Sequence, residues 1–117
     1  MHNFKKLDIW NRSVELVADI YRLVDTFPQA ERFGLVSQMQ RAAVSIPTNI
    51  AEGSAKSSNK DFVRFLEISL VSAYELETEL LVSLKLSYIE SETYEQFQQK
   101  LSELQRMIIG FKDTLYQ

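Results

Sequence analysis

The run Tyr94-Glu-Gln-Phe97-Gln-Gln-Lys-Leu101-Ser-Glu-Leu104-Gln-Arg-Met-Ile108-Ile-Gly-Phe111-Lys-Asp-Thr-Leu115 decides the architecture of this 117-residue chain. Its apolar residues Tyr94, Phe97, Leu101, Leu104, Ile108, Phe111 and Leu115 recur at intervals of three and four. At 3.6 residues per turn that spacing puts all seven on one side of an α-helix. Ser91 stands ahead of the run as an N-cap, with Glu92 in the first turn, where the helix dipole favours an anion.

Upstream, Ser58 followed by Asp61 has the form of a capping box and opens a third, longest helix. It is expected to run to about Tyr88. Phe62, Leu66, Ser69, Ala73, Leu76 and Leu80 follow helical spacing, and a second row, Val63, Leu70, Tyr74, Leu81 and Tyr88, repeats beside it. Ser69 and Ala73 are small enough to let another helix approach closely.

The stretch 53–59, Gly-Ser-Ala-Lys-Ser-Ser-Asn, reads as a loop. Before it, a helix from near Gly34 carries Leu35, Met39, Ala42, Ala43, Ile46 and Ile50 on one face, with Gly53 as its expected terminator. Gln38, Arg41, Ser45, Thr48, Asn49 and Glu52 line the other face. Pro47 cannot donate to residue 43, so a kink is expected there; the apolar face keeps its phase across it, which argues against two separate helices.

The first helix is expected over Leu7 to Thr26, ended by Phe27-Pro28, because proline disfavours helical geometry in the residue before it. It too has two apolar rows: Trp10, Val14, Val17, Tyr21 and Val24, and Ile9, Leu16, Ile20 and Leu23. Four amphipathic helices with short connections make an all-α, antiparallel four-helix bundle, a single domain over residues 1–117.

Composition agrees. Hydrophobic residues make up 45% and charged residues 25%, a globular balance, and three Gly with two Pro are too few for a turn-rich β fold. The absence of Cys removes disulfides, thiolate metal sites and thiol nucleophiles. The apolar run expected of a signal peptide after Lys5 and Lys6 is interrupted by Asp8, Asn11, Arg12 and Glu15. No run approaches the roughly 18 apolar residues of a membrane span, so a cytoplasmic protein without a membrane partner is expected. Net charge is −3, and only the middle segment, residues 29–58, is slightly basic.

A bundle helix needs an apolar stripe of about 100° toward its core, and helices one and three have more. Left uncovered, their second rows would form larger patches than monomers tolerate. One stripe on helix three or helix one, with the row Val63, Leu70, Tyr74 and Leu81 as the candidate, is therefore expected to be a subunit interface of a homo-oligomer, the competing reading being wide stripes that fill a thick core.

Catalytic chemistry finds no support. The one histidine, His2, lies in a tail expected to fray, so neither a triad nor a histidine metal site can be assembled. Glu75 and Glu79 share a face, but without an inward histidine a two-metal carboxylate centre does not follow; a solvated acidic face does. The stretch 53–58 lacks the glycines and preceding strand of a phosphate loop. No catalytic, metal or cofactor site is expected. Two polar features remain. Lys56, Lys60 and Arg64, spaced four apart where helix three begins, are a candidate phosphate contact. Gln38, Arg41, Asn49 and Glu52 are a candidate interhelical or intersubunit polar network around the kink. In both cases an ordinary solvated edge is the competing reading.

The run from Gln38 through Arg41-Ala-Ala-Val-Ser-Ile46-Pro-Thr-Asn-Ile-Ala-Glu to Gly53 resembles the signature of the four helix bundle proteins encoded in intervening sequences of bacterial 23S ribosomal RNA genes. Phe4-Lys-Lys-Leu-Asp-Ile-Trp10, Phe27-Pro28, Phe33-Gly-Leu35, Arg64-Phe-Leu66 and Glu75-Leu-Glu77 add to the likeness. The resemblance implies a bundle that assembles into a ring, with a pentamer expected, and a non-enzymatic scaffold or accessory role that is not established for the family. A related branch, the accessory proteins of diversity-generating retroelements, works with a reverse transcriptase and nucleic acid through a basic surface. That branch makes a nucleic-acid-binding accessory protein the alternative reading. The chain departs from it in its acidic balance, and from the family in Val71, where a Gly before Ser72 is expected and where local helix packing is expected to change.

Overall fold

The computed structural model describes residues 2–116. Its four helices are α1 (Asp8–Val24), α2 (Leu35–Ser54), α3 (Asn59–Lys85) and α4 (Ser91–Thr114). A 3-10 turn at Phe4–Lys6 precedes α1, and another at Gln29–Glu31 lies between α1 and α2. No strand occurs among the described residues. α2 packs most broadly against α3 and then α1, while α4 lies on α3 and closes onto α1.

The inner rows form one core. Ile20, Met39, Ile46, Ile50, Phe62, Leu66, Leu76, Leu80, Leu101 and Ile108 are fully buried. At roughly 1.5–3 kcal/mol for each fully buried large aliphatic or aromatic side chain, these residues dominate the favourable side of folding. The α4 row behaves as its spacing predicts. Leu101, Leu104, Ile108 and Leu115 are buried, with Tyr94, Phe97 and Phe111 packed against them.

Helix ends follow local chemistry more closely than periodicity does. Ser58 caps α3 as expected, its Oγ accepting from the Asp61 amide at 3.1 Å. α4 is not capped by Ser91. Glu90 holds the extended cap position, its carbonyl accepts from the Tyr94 amide at 2.9 Å, and Ser91 is already helical. α3 stops at Lys85, short of the expected Tyr88. Ser87 takes a left-handed φ of 63°, and the Tyr88 amide returns to the Ser83 carbonyl at 2.9 Å. This six-to-one closure normally uses glycine, and serine bears the Cβ strain of the conformation. Tyr88 therefore leaves the α3 row. Its ring lies 5.4 Å from that of Phe27, and its hydroxyl donates to Glu31 at 2.8 Å.

α2 runs through Pro47 as one helix. Pro47 is buried and withholds an amide from the Ala43 carbonyl. Side chains bind the two carbonyls that precede Pro47: Asn49 Nδ2 donates to Ser45 O at 2.8 Å, and Ser69 Oγ to Ile46 O at 2.9 Å. Gly53 does not terminate the helix. It is buried inside it, and a Cβ there would stand 2.7 Å from Phe65 Cβ and 2.8 Å from Phe62 Cδ1. The residue is small because α2 and α3 approach so closely at that point. His2 is not frayed either. Its amide donates to Ser54 O at 3.0 Å, and its ring meets Phe62 and Phe111 edge-on at 5.1 and 5.9 Å.

Candidate interaction surfaces

The expected interface row divides in the structure. Val63 is only 6% exposed and belongs to the protomer's own core, and Leu70 is half-buried. Tyr74 and Leu81 stand 47% and 42% exposed. A further row on α3 is Ile68, Val71 and Val82, continued by Leu86 just past the helix end, all exposed. Their positions fit a 3–4 repeat through Glu75 and Thr78, and those two polar residues hide the pattern. Val71 is directed outward, so it does not disturb packing within the protomer. On α1, Val14 and Tyr21 are exposed, whereas Val24 of the same row is buried; Val44 of α2 is exposed as well. α2 sits between α1 and α3, so the outer surface of these three helices carries apolar side chains from each.

Of the candidate polar network, only the Asn49 side chain is hydrogen-bonded within the protomer among the described residues. Asn49 Nδ2 donates to Ser45 Oγ at 2.9 Å, and Ser72 Oγ donates to the same Ser45 oxygen at 2.7 Å. The bonded unit is thus Ser45, Asn49 and Ser72, bridging α2 to α3. Among the described residues, Gln38, Arg41 and Glu52 make no side-chain hydrogen bond or ion pair. Gln38 and Arg41 instead line an open groove of about 370 Å³ with Ser45, Ser72, Glu75 and Glu79. Glu79 Oε1 is buried there with no hydrogen-bond partner among the described residues. Burial first, and then the charge of Glu75, push the Glu79 carboxyl up to about 7.

The candidate phosphate contact lies where α2 gives way to α3. Lys56 Nζ sits 5.0 Å above the Phe65 ring, and the Arg64 guanidinium lies 5.9 Å from the same ring. Lys60 and Arg64 also border an open cleft of about 660 Å³ lined by Val63, Leu115 and Tyr116 and by the carboxylates Asp61 and Glu67. Among the described residues none of the three cations enters an ion pair; the pairs found are Arg12–Glu103, Arg22–Asp19 and Lys100–Asp19. The antiparallel course brings Lys5, Lys6 and Lys112 to this same end, a juxtaposition that only the fold reveals.

No group of three or more His, Cys, Asp or Glu is placed to hold a metal ion among the described residues, and no helix is long and apolar enough to cross a membrane.

The sequence model of the 23S rRNA-intervening sequence proteins matches residues 5–110. A solved structure with the same fold is a protein of unknown function from the S23 ribosomal protein family of Bacteroides thetaiotaomicron. It superposes with a TM-score of 0.83 at 27% identity, covering 90% of this chain and 95% of that one. No curated protein matches the chain.

Proposed function

Since the chain belongs to the 23S rRNA-intervening sequence protein family, we propose that it is a non-enzymatic, self-associating bundle, a scaffold or accessory subunit whose assembly is a closed ring, with five copies as the expected number. The observation that carries this reading is the exposed apolar set on the outer surface of α1, α2 and α3, left over after a complete core has formed. Tyr74, Val71, Val82 and Leu81 rise from a helix whose opposite face already holds Phe62, Leu66, Leu76 and Leu80. A second copy would remove these side chains from water at about 25 cal/mol per Å² of apolar area. Tyr is also a residue type enriched at interface centres. Light scattering at micromolar concentration tests the proposal. A single species of several subunit masses is expected, and a monodisperse monomer overturns it.

A second reading is a nucleic-acid-binding accessory factor using Lys56, Lys60 and Arg64. The observation favouring it is that Lys56 and Arg64 both lie over the Phe65 ring and that, among the described residues, none of the three cations enters an ion pair. Retention of structured RNA or DNA at low salt is expected, and failure to retain either ends it.

A further inference from the structure

The polar groove between α2 and α3 interrupts the exposed apolar set. Ile68, Ser72, Glu75, Glu79 and Val82 of α3 follow one another at intervals of four and three, so they lie in one line along the helix. Ile68 and Val82 are exposed, while Ser72, Glu75 and Glu79 line the groove with Gln38 and Arg41 of α2. At 1.5 Å per residue Ile68 and Val82 are about 21 Å apart along α3, and both carboxylates stand between them. A second copy that removes Ile68 and Val82 from water therefore closes over Glu75 and Glu79 as well.

Glu79 meets that closure already short of water, with its Oε1 buried and no hydrogen-bond partner among the described residues. The charged groups that share the groove with it are Arg41 from α2 and Glu75, one turn back on α3; among the described residues α1 and α4 add none to its lining. Arg41 is exposed and forms no ion pair among the described residues. With Glu79 protonated, the groove holds one cation and one carboxylate, a balanced set. With Glu79 ionised, it holds a surplus negative charge that a neighbouring copy would have to bury. Burial and the charge of Glu75 already push the Glu79 carboxyl up to about 7 in the free protomer, so the exchange between these two states falls near neutral pH.

We propose, resting on the self-association reading above, that Glu79 is a proton-operated switch on assembly: a second copy docks over the α2–α3 groove with the Glu79 carboxyl protonated, and ionisation of that carboxyl loosens the contact. Covering the groove takes further water from the carboxyl and makes its charged form costlier. Each closed contact therefore takes up a proton wherever the free protomer has lost one. Association is at full strength well below pH 7, where Glu79 is neutral in the free protomer, and weakens as pH rises through 7. The slope is at most about tenfold per pH unit for each Glu79 covered.

Sedimentation velocity on the full chain over a range of concentrations at pH 6, 7, 8 and 9 and constant ionic strength tests this, with helicity followed by circular dichroism in the same buffers. The concentration at which the wild-type assembly is half dissociated is expected to rise at least about tenfold from pH 6 to pH 9, with helicity unchanged. Glu79→Gln, neutral at every pH, should stay assembled throughout, with that concentration constant within about twofold. A second measurement needs no variant. Diluting the wild-type assembly at pH 8 in two buffers of different ionisation enthalpy should show, by calorimetry, that dissociation releases protons. A multimer equally stable at pH 6 and pH 9, or one that releases no protons, overturns the switch and leaves self-association standing. Association that tightens as pH rises also overturns it, because ionised Glu79 would then be meeting a cation across the contact. A pH dependence that Glu79→Gln retains belongs to another group and overturns the assignment to Glu79. A wild type that is monomeric at every pH and concentration overturns the self-association reading and the switch with it.

Discussion

Gly53 of α2 lies so close to Phe65 of α3 that a methyl group on it would stand 2.7 Å from the Phe65 Cβ. Neither partner can swing away, since one atom is the first carbon of a side chain and the other would be fixed to a helix backbone. The contact sets the distance between the helices that share the broadest contact, just before the chain turns toward Lys56.

Gly53→Ala is therefore expected to destabilise the fold by about 1–3 kcal/mol, the usual range for an overfilled core. Alanine's better helix propensity, worth about 1 kcal/mol, offsets only part of it. Urea unfolding followed by circular dichroism checks the sign; an unchanged or raised midpoint would mean that α2 and α3 separate freely.

Leu104 is 2% exposed in the middle of α4. Leu104→Asp puts a carboxylate without a partner in the core, at a cost of several kcal/mol, and should abolish the helical signal at room temperature. A folded Leu104→Asp protein would contradict the placement of this row against α1 and α3.

Glu79 makes stability depend on pH. Its folded-state pKa, about 7, lies above the ordinary 4.5, so the folded chain holds this proton more tightly than the unfolded chain. The contribution is fully present below about 4.5, is lost as pH rises toward 7, and is constant above that. The loss is expected to be about 1–2 kcal/mol after allowance for solvent screening of a group at an open groove. Glu79→Gln should remove this part of the slope and raise the urea midpoint at pH 8. Unfolding of both proteins at pH 5, 6, 7 and 8 decides it: equal slopes would mean that solvent or a neighbour already satisfies Glu79 Oε1.

Periodicity made the four helices legible in the sequence, because each buries one continuous row and breaks at polar or proline-containing connections. Ser58 could be identified as a cap because its partner Asp61 is local. What escaped depends on distant or permissive geometry. Gly53 has a terminator's identity, but its neighbour Phe65 belongs to another helix, and nothing near residue 53 announces the contact. Ser87 adopts a glycine-like conformation without being glycine, so the α3 stop left no mark. Val63 sits in the outer row by spacing, yet Val63 is buried where Tyr74 and Leu81 are not. Helical phase alone does not say how far a neighbour wraps. The Ile68, Val71, Val82 and Leu86 row was masked by Glu75 and Thr78. The meeting of Lys5, Lys6 and Lys112 with Lys56 at one end required the antiparallel course itself, since Lys5 and Lys112 lie far from Lys56 in sequence.

The central claim is that the outer surface of α1, α2 and α3 joins one copy to the next, and Tyr74→Glu tests it most directly. Tyr74 is half-exposed and bears no part of the core, so a charge there should leave the protomer folded. Mass by light scattering and helicity by circular dichroism, measured together on wild type and variant, give the answer. The account predicts a multimer for the wild type and a fully helical monomer for Tyr74→Glu; a wild-type monomer, or a variant that unfolds as Leu104→Asp does, would contradict it.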